Sequence, residues 1–166
     1  MPDSFSLHEL LDLARTMESN GVDFYTRCAA LYSNQEEAEF FLRLARMEED
    51  HEKTFARLQA ALPAAVETPG GADELFEASG LFLQALIDSE NLEGSGFSRY
   101  VFTGKETPAQ VVLMGVDLEK QTILYYLGLR EMFTAPKERS VLETIIREEK
   151  EHLAVLIQEY RRLKAG

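Results

Sequence analysis

The feature that most constrains this chain is a repeat within it. Glu18, Tyr25, Glu48 and His51 recur as Glu119, Tyr126, Glu149 and His152, each pair separated by about 101 residues. The 166-residue chain has only 3 histidines, so a histidine in each half at a shared offset is hard to attribute to chance. Apolar residues flank these positions at helical spacing, and each half reads as two helices joined by a short turn. The repeat predicts two helical hairpins that carry the same polar groups.

Start and stop signals place the helices. Ser6 with Glu9 is a capping-box pattern, and Leu10, Leu11, Ala14, Met17, Gly21, Phe24, Tyr25 and Cys28 follow with one apolar face, predicting a helix over about 7–32. Ser33 and Asn34 offer fresh caps with Glu36 and Glu37 behind them. Phe40, Phe41, Leu44, Phe55 and Leu58 then carry a second helix over about 35–61, stopped before Pro63. Thr107, Pro108 and Gln110 open a helix over about 108–134 with a cap, a first-turn proline and a reciprocal acceptor. Pro136 marks a turn, and the last helix is expected over about 137–163, with Val141, Ile145, Leu153 and Leu156 inward and Arg161, Arg162 and Lys164 at its electronegative end.

The connector between the hairpins, about 62–106, is too long for a tight loop. It opens with Pro63, Pro69, Gly70 and Gly71, and a short extra helix is expected over about 73–89. Phe97, Tyr100 and Phe102 are expected to pin the rest onto the bundle. The helix that begins at Pro108 is apolar on several sides, through Val111, Val112, Leu113, Met114, Val116, Ile123, Leu124, Leu127 and Leu129. One bundle core cannot use them all, so either the connector helix or a partner subunit must cover a second face, and the partner expected is a second copy in a homodimer. The fold class is therefore all-α, a four-helix bundle with a long crossover, in a single domain over residues 1–166.

Composition removes several classes of function. There are 29 acidic and 17 basic residues, a net charge of -12, so the chain has nothing to neutralise a phosphate backbone and no nucleic-acid partner is expected. The single cysteine, Cys28, rules out a disulfide framework and a four-cysteine metal site within this chain, and it reads as a small core residue. No stretch is apolar for long enough to span a membrane, and the N-terminal residues lack the pattern of a signal peptide. The expected location is the cytoplasm.

The repeated residues carry chemistry. Glu48 and His51, like Glu149 and His152, are three apart and project from one helix face, so each pair can reach one cation. Glu18 and Glu48 lie nearly equal distances from the turn at Ser33, and Glu119 and Glu149 nearly equal distances from Ala135. At about 1.5 Å per residue, the members of each hairpin sit at one level, roughly 20 Å from the turn. Six side chains can converge. Buried carboxylates repel one another and lose hydration, and cations remove that cost. Four carboxylates balance two divalent ions, and two imidazoles complete a set typical of iron or manganese; zinc is a substitute such ligands accept. Glu148 competes with Glu149, being four residues before His152, but the repeat pairs Glu148 with Met47 and so favours Glu149. Tyr25 and Tyr126, each two turns beyond a glutamate, face inward either as donors to the carboxylates or as ordinary core tyrosines. Gly21, costly inside a helix, points to a close helix approach. His8 reads as a surface residue of the first turn.

The run from Met17 through Glu18 and Gly21 to Tyr25, the two ExxH motifs and the Leu118, Glu119 pair closely resemble the rubrerythrin branch of the ferritin-like superfamily. The likeness covers all four main helices and is weakest in the connector. It implies a ferritin-like bundle with two non-haem iron ions held by Glu18, Glu48, His51, Glu119, Glu149 and His152, and the reduction of hydrogen peroxide in defence against oxidative stress. Two features depart from the pattern. Full rubrerythrins carry a rubredoxin-like domain with four cysteines, which this chain lacks, so its electrons are expected from an external donor such as a rubredoxin-type protein. Rubrerythrins also carry an extra glutamate three residues after the third-helix ligand, where this chain has Thr122. The more symmetric set also suits reaction with dioxygen, a ferroxidase or iron-storage role, or, more distantly, a helical interaction module with a structural metal.

Overall fold

The computed structural model describes residues 6–62, 78–86, 102–103 and 105–165. It is the all-α bundle that the periodicity predicts. Helix α1 spans Leu7–Ala30 and α2 spans Gln35–Ala61, while residues 78–86 are helical and form α3. Helix α4 spans Pro108–Met132 and α5 Pro136–Ala165. Within each hairpin, α1 packs along α2 and α4 along α5. The hairpins join through α1 against α4 and α2 against α5. No helix among the described residues is long and apolar enough to cross a membrane.

Caps fix three helix starts. Ser6 Oγ accepts from the Glu9 N–H at 3.2 Å while the Ser6 N–H donates to the Glu9 carboxylate at 2.7 Å. Thr107 and Gln110 repeat this exchange at 3.3 and 2.8 Å, and Asn34 Oδ1 accepts from the Glu36 N–H at 2.9 Å. Such caps satisfy donors that the first helical turn leaves without carbonyl partners.

Periodicity located the ends less well. Helix α1 stops at Ala30, before the predicted 32, because the chain tightens: the N–H groups of Leu31 and Tyr32 bond three residues back, to Cys28 and Ala29. Helix α4 stops at Met132, before the predicted 134, because Phe133 turns to an extended conformation with ψ 125°. Pro136 is the first residue of α5 rather than part of a turn before it, and α5 runs on to Ala165. A proline has its φ preset for that position and lacks only an N–H that would find no helical partner there.

The connector helix supplies the second cover for α4. A Cβ built on Gly128 would lie 2.8 Å from Leu83 Cδ2 and 2.9 Å from Phe82 Cδ1, so α3 seats against α4 where the side chain is missing. Leu83 is buried there, while Leu113 and Leu124 of α4 stay exposed. Phe102 stacks on Phe24 at 5.5 Å and lies under the Arg27 guanidinium, as expected of a residue pinning the connector. Phe97, Tyr100 and the remainder of the predicted 73–89 helix lie outside the described residues.

The core has two apolar parts. One gathers Leu10, Leu11, Ala14, Phe55, Leu129, Leu142 and Ile145, and the other Phe24, Cys28, Phe41, Leu44, Val112, Leu118 and Leu156. Along every main helix the division falls at a glutamate. Glu18 follows Ala14 and precedes Phe24, Glu48 lies between Leu44 and Phe55, and Glu119 and Glu149 hold the matching places on α4 and α5. If α3 contributes to the core as its contacts indicate, Leu83→Ala should cost about 3 kcal/mol. Urea unfolding would read this, and a loss below about 1 kcal/mol would mean that α3 is not part of the cooperative fold.

Candidate metal centre

Six side chains from four helices meet in the polar layer. Glu18 comes from α1, Glu48 and His51 from α2, Glu119 from α4, and Glu149 and His152 from α5, and none is more than 4% exposed. They form two overlapping groups. Glu18, Glu48, His51 and Glu149 bring one ligand atom each to within 4.8 Å of one another, and so do Glu48, Glu119, Glu149 and His152. Glu48 and Glu149 belong to both.

The two shared carboxylates divide their oxygens between the halves. One Glu149 oxygen lies 2.7 Å from His51 Nδ1 and the other 3.1 Å from His152 Nδ1. Glu48 does the same, at 3.6 Å from His51 and 3.2 Å from His152. Glu18 approaches His51 at 3.7 Å and Glu119 approaches His152 at 3.8 Å. The imidazole rings stack 5.6 Å apart with Nδ1 inward on both. This arrangement has a bridging pair, Glu48 and Glu149, and an end group of one glutamate and one histidine on each side.

The inward tyrosines bond across the bundle. Tyr25 on α1 donates to Glu119 on α4, and Tyr126 on α4 donates to Glu18 on α1. Neither can reach the glutamate of its own helix, which lies seven residues or about 10 Å away along the axis. Because α1 and α4 run antiparallel, each tyrosine instead stands level with the other helix's carboxylate. Spacing placed both rings inward; only the pairing of the helices supplies the acceptor. Burial, followed by the adjacent Glu119 or Glu18, pushes both hydroxyls well above their ordinary range, so they remain donors.

Other candidates separate cleanly. Glu149 faces inward, whereas Glu148 lies at the edge with its carboxylate 2.9 Å from His51 Nε2. Gly21 lets α2 come close, since an added Cβ would lie 3.1 Å from Glu48 Cγ. His8 is half-buried in the first turn of α1, where its carbonyl accepts from Gln59, and takes no part in the cluster. Cys28 is buried and burial pushes its thiol up, as suits a core residue. Thr122, one turn from Glu119, is buried beside the centre's helix face.

The sequence profile of the rubrerythrin family matches residues 9–160. The chain belongs to the rubrerythrin family. Its fold is ferritin-like: it superposes with a TM-score of 0.67 on a Thermotoga maritima protein assigned to the ferritin-like diiron-carboxylate class. That pair shares 22% identity, over 95% of this chain and 96% of the other. Among curated proteins, no sequence matches.

The donor set of this rubrerythrin-family chain fits cations. Glu18 Oε2, Glu48 Oε1, Glu119 Oε2, both Glu149 oxygens and both histidine Nδ1 atoms are buried without a hydrogen-bond partner among the described residues. Nitrogen and oxygen stand within 2.7 Å in one pair yet are not aligned to bond, as when lone pairs aim at a common point. Left to themselves the groups are frustrated. Burial first, then Glu48 for Glu18 and Glu149 for Glu119, raises these two carboxyls well above their ordinary value. For Glu48 and Glu149 burial is again the largest influence and pushes up, but contacts with both histidines outweigh it and hold them below. Burial opposes charge on the imidazoles too, yet Glu149 and the other carboxylates raise His51 strongly and His152 to about 9. Protons thus do part of what cations would do: with Glu18 and Glu119 held toward their neutral forms, the two imidazoliums face the two remaining carboxylates, Glu48 and Glu149.

Two outcomes follow from this balance. His152, raised from 6.5 to about 9, stabilises the metal-free fold fully below pH 6.5 and loses that contribution as pH rises through 9. The raised Glu18 and Glu119 act in the same direction, while the lowered Glu149 loses its contribution only as pH falls below 4.5. In chelator, therefore, the melting temperature should fall between pH 6.5 and 9. Added divalent metal should raise it by an increment that grows over the same window, since ligands bind deprotonated. Scanning calorimetry with and without metal measures both, and a melting point indifferent to metal would remove the centre. Separately, Gly21→Ala places a methyl 3.1 Å from Glu48 Cγ. It should weaken metal binding roughly tenfold in competition with a chromophoric chelator, in spite of alanine's better helix propensity.

Proposed function

We propose that this chain is a di-iron oxidoreductase that reduces hydrogen peroxide, or reacts with dioxygen, with electrons from an external donor. The observation that carries the reading is the pair of overlapping four-residue groups, buried, joined by Glu48 and Glu149, with inward atoms that have no hydrogen-bond partner among the described residues. Four carboxylates and two imidazoles suit two iron ions, with manganese an alternative occupant. When bound as a ferrous pair, iron supplies the two electrons that split the peroxide O–O bond, and two protons complete two molecules of water.

The protein's own groups have separable tasks. Glu48 and Glu149 span the centre and hold its halves together, and His51 and His152 anchor opposite ends. Tyr25 Oη and Tyr126 Oη keep protons on the outer sides of Glu119 and Glu18, fixing their rotation and offsetting part of their charge. The apolar walls above and below exclude water, which strengthens every charge interaction inside. One cysteine provides no second redox centre within the chain, which supports an external donor such as a rubredoxin-type protein and a reducing, cytoplasmic setting. A homodimer contact on α4 would draw on its exposed Leu113 and Leu124.

A second reading, a ferroxidase or iron-storage protein, is favoured by one observation: the position one turn beyond Glu119 is Thr122 and not a fifth carboxylate, leaving the ligand set symmetric. Stopped-flow mixing of the diferrous protein with peroxide should give oxidation within seconds and sustained turnover once reductant is supplied. Many iron atoms accumulating per chain without peroxide turnover would transfer the function to storage. Complete inertness toward both oxidants would leave a structural metal in a helical interaction module.

A further inference from the structure

The two halves of the centre match at each of the six inward residues but differ behind the imidazoles. Both rings turn Nδ1 to the carboxylates, so Nε2 points away from the centre on each. His51 Nε2–H donates to Glu148 Oε2 at 2.9 Å, from a buried ring to a side chain that is 37% exposed. His152 Nε2 is buried and has no partner among the described residues. The sequence holds the reason. The offset that pairs Glu149 with Glu48 pairs Glu148 with Met47, whose thioether offers no carboxylate to receive the proton.

A carboxylate on the outer nitrogen does two things to a ligating imidazole. It fixes the tautomer that leaves the inner lone pair free, and it makes that nitrogen a stronger donor. We propose that Glu148 is a positioning residue that acts through His51 and makes the two metal positions unequal: the one bounded by Glu18 and His51 fills first and binds more tightly than the one bounded by Glu119 and His152. The ligand set is nearly symmetric, and the inequality is imposed by one residue outside it. This inference rests on the metal-binding reading above.

Zinc titrated into the metal-free full-length chain, followed by calorimetry, tests it without recourse to turnover. The wild type should show two steps at least tenfold apart. Glu148→Leu should weaken the tighter step 10- to 100-fold, the range found when such outer partners are removed, and change the weaker step less than threefold. Glu148→Gln, which keeps an acceptor without the charge, should fall between. Met47→Glu should bring the steps together by tightening the weaker one. In 15N-histidine spectra of the zinc-loaded wild type, His51 should show one Nε2–H tautomer with slowed exchange, and Glu148→Leu should lose that protection while circular dichroism stays unchanged. Equal weakening of both steps by Glu148→Leu, or no weakening, overturns the proposal even if two ions bind. A wild type that takes up no zinc, iron or manganese overturns the metal centre itself, and the inference with it.

Discussion

Four carboxylates forced together away from water form the constraint to which the rest of this structure answers. Each resists burial, and each is worse placed for the presence of the others. The bundle tolerates them because each of the four main helices contributes one, so none can leave without dragging a helix, and because two imidazoles and two phenols are interleaved among them. Tyr25 and Tyr126 reach the end carboxylates of the opposite helix, tying α1 to α4 through the acids themselves. The histidines reach both bridging carboxylates and tie α2 to α5. Charge that would drive the hairpins apart is turned into the contacts between them.

The same economy explains local oddities. Gly21 occupies a helix interior at some cost to the helix, and the gap it leaves admits Glu48. Gly128, on α4, admits Leu83 and Phe82 of α3. One glycine brings a charged group inward and the other brings apolar cover, and the apparently excessive hydrophobicity of α4 is partly accounted for by the second.

Much of the cluster is legible in the sequence because duplication prints it twice. A single ExxH is weak evidence, but Glu48 and His51 gain weight from Glu149 and His152 at the same offset, and helical rise alone brings Glu18 and Glu119 to their level. What the repeat left unread depends on the packing of one hairpin against the other. The crossed tyrosine bonds require α1 and α4 to be antiparallel and in register, which neither helix encodes by itself. Helix ends were read only to within two residues, since Leu31 and Phe133 leave the helix through backbone bonds that periodicity does not register. Glu148 escapes the repeat for a related reason: spacing makes it only a rival ligand to Glu149, and its bond to a histidine on another helix exists only in three dimensions.

The split core has a consequence for the protein's lifetime. Two oily compartments are stacked along the bundle, divided by a polar layer that all four main helices cross, and the packing of hairpin on hairpin is weakest where that layer interrupts it. Ions lodged there would act as rivets between the two hairpins. A cell short of metal would then hold copies whose hairpins part more readily and fall early to proteases, so that supply of the ion would govern how much of the protein persists.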